Sequence, residues 1–127
     1  MTKIAAIQMC SSDNVRDNLM RAGNLVQQAA QCGASLAVLP EMFPFMGNTP
    51  EAKLAVQEAA GAGPIQDFLA MTAARHQIYL VGGSIPLRSS AAHKISAACL
   101  TYNPEGKLIN RYNKMHLFDV DVGNNEI

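Results

Sequence analysis

Two charged side chains stand where ionisable groups can do chemistry. Glu41 follows the apolar run Leu36-Ala37-Val38-Leu39-Pro40, and Lys114 follows a second strand-like stretch, residues 107–112. A carboxylate and an ammonium in apolar surroundings can act as general base and as electrostatic stabiliser of a developing oxyanion. From position alone the plainer reading takes precedence, surface charges or a simple ion pair, because no spacing rule links the two.

The elements that must hold these residues can be read from the hydrophobic pattern. Within a strand predicted over residues 35–40, Leu36 to Leu39 are four consecutive apolar residues, suited to a strand buried on both faces, and Pro40 has no N–H for a sheet ladder, so the strand should end there. Glu41 then lies beyond a strand's carboxyl end, where open α/β sheets gather ligands. A first strand is predicted over residues 4–10. From residue 13 onward Val15, Leu19, Ala22, Val26, Ala29 and Ala30 recur at helical spacing, with Gly33 as a C-terminal cap. Residues 1–41 thus outline a β-α-β unit with parallel strands.

The pattern further along predicts short helices over 50–60 and 64–76, then a strand over 78–86. Gly82-Gly83 within that strand marks either a bulge or the close approach of another backbone. Residues 94–102 and 107–112 flank Asn103-Pro104-Glu105-Gly106, a hairpin signal with proline at the second turn position and glycine where positive φ is needed. The apolar loop Met42-Phe43-Pro44-Phe45-Met46 follows Glu41 directly. Phe43 and Phe45 read as either core or a wall of a substrate pocket.

Composition narrows the function classes. The chain has 127 residues with ten basic and ten acidic side chains, formal net charge +0 and 6 % aromatic residues. That balance argues against a nucleic-acid or membrane-surface footprint, and no apolar stretch approaches the roughly 18 residues of a membrane span. No signal peptide is expected, and a cytoplasmic setting is the default. Cys10, Cys32 and Cys99 are three widely spaced cysteines without a C-x-x-C. They predict neither a disulfide framework nor a zinc site, and each reads as a buried small hydrophobe.

Four motifs in order carry a resemblance to a known family: Ala5-Ala6-Ile7-Gln8-Met9, Leu39-Pro40-Glu41-Met42-Phe43, Asn103-Pro104-Glu105-Gly106, and Arg111-Tyr112-Asn113-Lys114-Met115-His116-Leu117-Phe118-Asp119. Together they resemble the first half of a carbon-nitrogen hydrolase of the nitrilase superfamily. The Lys-x-His-Leu-Phe-Asp stretch is most similar to the amidase branch of omega-amidase and deaminated-glutathione-amidase type. The resemblance implies an α/β fold, the N-terminal half of an α-β-β-α sandwich, with a mixed sheet and helices on one face. Residues 1–127 would be an incomplete portion of that domain, normally paired into homodimers or larger assemblies.

The same resemblance implies C–N bond hydrolysis in a small-molecule amide through a Glu-Lys-Cys triad, with no cofactor or metal. Glu41 matches the general base that takes the thiol proton. Lys114 matches the lysine that stabilises the tetrahedral intermediate and helps to manage protons. The family's nucleophilic cysteine lies some tens of residues beyond the lysine, and none of the three cysteines matches its motif. The nucleophile is therefore expected to be absent from the 127 residues, which should be inactive alone. His116 is either a pocket residue or the holder of a structural hydrogen bond; His76 should end a helix and His93 start a strand.

Two other classes stay open. A truncated paralogue could serve as a non-catalytic, oligomerising interaction module, since half a sandwich exposes a sheet face and free edges. A small metabolite- or nucleotide-binding α/β domain also fits the β-α-β outline, although neither G-x-G-x-x-G nor G-x-x-x-x-G-K-[ST] is present.

Overall fold

The computed structural model describes residues 1–90 and 94–115. In chain order its elements are β1 (Ile4–Ala6), α1 (Val15–Gln31), β2 (Leu36–Val38), α2 (Pro50–Ala55), α3 (Pro64–His76), β3 (Tyr79–Val81), β4 (Ile85–Arg88), β5 (Ile95–Tyr102) and β6 (Leu108–Asn113). The expected α/β mixed sheet is present. Strands β1, β2 and β3 run parallel, and β5 pairs antiparallel with β3, β4 and β6. Ala98 faces Ile85 on one side of β5 and Asn113 on the other. β3 and β4 therefore share one flank of β5, and β6 takes the opposite flank.

Helix α1 begins at Val15, two residues after residue 13. Asn14 is the N-cap, and its side chain accepts from the Asp17 N–H at 3.0 Å, which satisfies a donor that has no carbonyl partner inside the helix. Gly33, at φ 92°, follows the last turn, where a side chain would be strained. The inward stripe of α1 is Asn18, Ala22 and Val26. α3 opens with Pro64 and buries Ile65, Gln66, Leu69, Thr72 and Ala73. Both stripes join Ala37, Leu80, Ala98 and Leu100 of the sheet in one apolar cluster.

The helices cover one face of the sheet, which corrects the expectation that residues 35–40 are buried on both sides. Ala37 and Leu39 are buried, whereas Leu36 and Val38, pointing the other way, are half-buried. That second face carries Ile4, Tyr79 and Tyr112, exposed at 67 %, 44 % and 52 %.

Three predicted boundaries also shift. The strand foreseen over 4–10 ends at Ala6 with one further ladder bond, from the Ile7 N–H to the Val38 carbonyl at 2.9 Å. The helix foreseen over 50–60 stops at Ala55 because the backbone of Glu58 is used elsewhere. Its N–H donates to the Pro86 carbonyl (3.1 Å) and its carbonyl accepts from the Arg88 N–H (2.8 Å), stitching the α2–α3 connection to β4. The single strand foreseen over 78–86 is two strands, broken at Gly82-Gly83. The hairpin between β5 and β6 closes as read: Gly106 has φ 82°, and the Asn103 side-chain oxygen accepts from the N–H groups of Glu105 and Lys107.

Candidate functional site

Glu41 and Lys114 come together although 73 positions apart. The route is topological. β6 runs antiparallel to β5, and β5 runs antiparallel to β3, so β6 points the same way as β2. Each strand therefore releases its charged residue at the same edge of the sheet. The Lys114 N–H donates to the Ala97 carbonyl at 2.9 Å, carrying the β5–β6 ladder one step further and fixing the lysine's backbone. Its Nζ donates to Glu41 Oε1 in a direct ion pair. The lysine side chain is 35 % exposed and the carboxylate 61 %, so the pair lies at a mouth rather than in the interior.

The turn that aims Glu41 is held by groups that local pattern does not reveal. Gly83, at φ 59°, lies so near the chain before Glu41 that a Cβ there would stand 2.0 Å from the Pro40 carbonyl oxygen. Of the two readings of Gly82-Gly83, close backbone approach is the one found. Met42, next to Glu41, adopts φ 54°, a left-handed conformation that costs a non-glycine residue about 1–2 kcal/mol. The Met42 N–H donates to Ser84 Oγ at 2.9 Å, and Ser84 is buried. A left-handed residue beside the Glu41 carboxylate, anchored by a buried hydroxyl, fixes the direction in which the chain leaves β2.

The loop beyond is pinned from α1. The Asn18 amide donates to the Ser12 carbonyl (2.8 Å) and the Pro44 carbonyl (2.9 Å), its oxygen accepts from the Ser12 N–H (2.9 Å), and Ser11 Oγ donates to the Phe43 carbonyl (2.7 Å). Phe43 is 0 % and Phe45 4 % exposed. Both rings lie in the interior and neither lines the clefts beside Glu41, so in this chain the pocket-wall reading gives way to the core reading. Their aromatic surface goes where it removes most area from water.

Two adjoining clefts flank the ion pair and share Glu41, Ala97 and Lys114. The first, about 300 Å³, adds Val38, Val81, Cys99 and Tyr112. The second, about 230 Å³, adds Met42, Lys53, Pro86 and Ile95. A further hollow of about 350 Å³ lies away from them, between α1 and α3, and has Arg75 and His76 on its rim but no carboxylate or thiol.

The cysteines depart from expectation. Cys10 and Cys32 are exposed, the first because β1 ends four residues before it, the second because it caps the solvent end of α1. Cys99 is half-buried on the floor of the first cleft, and burial pushes its thiol above the usual range. That is the opposite of an activated nucleophile. Lys53 and Ser84 escaped the sequence reading, and Cys99 was expected in the interior rather than beside the ion pair. Only Ser84 carried a local signal, as the residue after Gly82-Gly83. His76 ends α3 as expected; His93 and His116 lie outside the described residues. Among the described residues, no group of three or more His, Cys, Asp or Glu converges to hold a metal ion. No helix of the described residues is long and apolar enough to cross a membrane.

The family model for carbon-nitrogen hydrolases matches residues 3–126. The chain belongs to the carbon-nitrogen hydrolase family. It is 38 % identical over 124 residues to Nitrilase homolog 2 of Dictyostelium discoideum, covering 96 % of this chain and 37 % of that protein. To Omega-amidase NIT2 of Mus musculus it is 38 % identical, covering 94 % and 42 % respectively. To the Deaminated glutathione amidase of Synechocystis it is 40 % identical, covering 93 % and 43 %. The chain thus spans less than half the length of these carbon-nitrogen hydrolases.

Saccharomyces cerevisiae Nit3, a member of branch 10 of the nitrilase superfamily, superposes with TM-score 0.80 at 29 % identity, covering 91 % of this chain and 44 % of Nit3. The Caenorhabditis elegans NitFhit protein superposes with TM-score 0.81 at 23 % identity, over 100 % of this chain and 32 % of its own. The fold is that of the N-terminal half of the nitrilase sandwich, with helices on one sheet face.

Proposed function

We propose that Glu41 and Lys114 are two members of a Glu-Lys-Cys triad that hydrolyses the C–N bond of a small carboxamide. The nucleophilic thiol would be supplied by the portion of the family domain that this chain does not span. The observation that carries the reading is the ion pair itself, delivered by two strands to one edge of the sheet and flanked by clefts.

The chemistry follows from the arrangement. A thiol is mostly protonated near neutrality, and Glu41, exposed at the mouth, is available to take its proton. Lys114 places a fixed positive charge where attack on the amide carbon creates an oxyanion. Collapse of that intermediate, with the proton held by Glu41 passed to the leaving nitrogen, expels ammonia, leaves a thioester and restores the Glu41 carboxylate. A water molecule, deprotonated by Glu41, then attacks the thioester, releasing the acid and regenerating the thiol. Cys99 lines the cleft but is not assigned the attack, because burial favours its protonated form. The open sheet face bearing Ile4, Tyr79 and Tyr112 is the surface onto which the second half of the sandwich would pack, and the completed domain would assemble as a homodimer or larger.

The test is ammonia release from simple amides by the 127-residue chain and by a fusion in which the remaining portion of the Synechocystis relative follows Ile127. The chain alone should be silent and the fusion active, with Glu41→Gln and Lys114→Met each lowering kcat by at least about a hundredfold. Turnover by the chain alone, or an active fusion indifferent to Glu41→Gln, would refute the assignment.

A further inference from the structure

The hollow between α1 and α3 takes no part in the chemistry at Glu41 and Lys114. Its volume, about 350 Å³, falls within the usual range of roughly 300–1,000 Å³ for small-molecule sites. The apolar part is made by Leu19, Met20, Phe68 and Met71, and Met20 and Met71 stand 58 % and 60 % exposed on its sides. Two flexible thioethers beside an aromatic ring make adaptable walls, and sulfur packs favourably at aromatic edges. Gly23 supplies the space. It lies in the interior of α1, where glycine costs about 1 kcal/mol relative to alanine, and a Cβ there would already stand 3.4 Å from the Phe68 ring. A longer side chain at that position would fill the hollow.

The other part of the hollow is polar. Helices α1 and α3 each run into a strand of the parallel set, β2 and β3, so their carboxyl ends lie together where those strands begin, away from the edge that delivers Glu41. Toward those ends the lining is Gln27, Arg75 and His76. Among the described residues none of these three side chains makes a hydrogen bond or ion pair, and no Asp or Glu lines the hollow. Two of the carbonyls ending α3, those of Ala73 and Ala74, already accept from the Gln77 N–H. The partial charge of the helix end, about half an elementary charge, is smaller than the whole charge of the Arg75 guanidinium. An apolar trough that ends in an unpaired guanidinium complements a flat apolar body bearing one anionic group.

We propose that the hollow between α1 and α3 is a binding site for a small aromatic carboxylate, separate from the clefts beside the ion pair. The ring lies in the trough between Met20 and Met71, over Phe68, and the carboxylate meets Arg75, with His76 as a second donor. An imidazole can donate a hydrogen bond in either protonation state. A solvent-facing guanidinium–carboxylate contact adds about fivefold in affinity, and burial of the ring at least about tenfold over a ligand without one.

The test titrates the 127-residue chain at fixed ionic strength with three probes. Hydrocinnamate carries ring and charge, hydrocinnamyl alcohol keeps the ring without the charge, and propionate keeps the charge without the ring. Backbone amide NMR shifts of Gly23 and Thr72 provide the dissociation constants. Hydrocinnamate should bind about fivefold more tightly than the alcohol and at least about tenfold more tightly than propionate. Arg75→Met should abolish the preference for the acid over the alcohol, and Arg75→Lys should keep part of it. Arg16→Met, an exposed position on α1 outside the hollow, should leave it unchanged. Gly23→Met, which fills the space, should weaken both ring-bearing probes at least about tenfold. Equal binding of acid and alcohol, a preference that survives Arg75→Met, or an equal loss in Arg16→Met overturns the site, as does the failure of all three probes to move the Gly23 and Thr72 signals. Shifts of those signals that follow protein concentration without any ligand would give the groove to a second copy of the chain and overturn it equally.

Discussion

Replacing Gly83 by alanine tests how the site is held, and Gly61→Ala supplies an internal control. Both glycines have positive φ, 59° and 94°. Each substitution therefore carries the penalty of a left-handed alanine, about 1–2 kcal/mol. Around Gly61 a Cβ would meet nothing within 4 Å, so the cost should end there. At Gly83 the Cβ would lie 2.0 Å from the Pro40 oxygen and 2.8 Å from the Leu39 oxygen. Backbone cannot swing aside as a side chain can, so one chain must retreat by on the order of 1 Å, an overpacking cost of about 1–3 kcal/mol more. The expected totals are about 1–2 kcal/mol for Gly61→Ala and about 2–5 kcal/mol for Gly83→Ala. Urea unfolding followed by circular dichroism, with the slope m compared across variants, measures both. The displaced segment leads straight into Glu41, so in the active fusion Gly83→Ala should also lower kcat by about a hundredfold while Gly61→Ala leaves it unchanged. Equal destabilisation by the two variants, within about 0.5 kcal/mol, would refute the close-approach account of Gly83.

Phe43→Ala should destabilise the chain by about 3–5 kcal/mol in urea unfolding, as expected for a ring removed from a filled interior, and should not alter the dissociation constant for a simple amide such as butyramide in whatever fraction remains folded. Glu41→Gln should change stability by less than about 1 kcal/mol, because its ion pair is solvent-facing; a larger loss would make Glu41 structural. Iodoacetamide with peptide mapping should modify Cys10 and Cys32 before Cys99, whose alkylation midpoint should lie above the ordinary thiol value of 9.0. Burial, and then the charges of Glu58 and Asp67, raise the Tyr102 phenol above its ordinary 10.0. The folded state thus holds that proton more tightly than the unfolded one, and the associated stability is complete below pH about 10 and lost as pH climbs through the folded value. The urea midpoint should fall across that window, and Tyr102→Phe should flatten the fall.

Much of this protein was legible locally. The alternation of apolar and polar residues marked α1 and α3, proline ended β2 before Glu41, and Asn103 to Gly106 spelled the hairpin, because each depends on neighbours within a few positions. Two of the errors have a common cause. α2 stops short because Glu58 uses its backbone on β4, and the strand over 78–86 breaks because Gly83 must pass Pro40. Cys10 was read as interior although β1 had already ended. In the first two cases a partner distant in sequence overrode the local preference.

The sequence by itself determined the element order apart from the division of residues 78–86 into two strands, the two candidate charges and, through four short motifs, the family. The tertiary structure decided what those residues do to one another. It brought Glu41 and Lys114 into contact because two strands of like direction end at one edge. It sent Phe43 and Phe45 inward, where burial of their rings outweighs any service at the cleft. It set Lys53 and Cys99 beside the ion pair, a placement no motif announces. Hydrophobic periodicity and turn chemistry act over a handful of residues and can be read along the chain, whereas a site is a meeting of distant segments and exists only once the sheet has set their register.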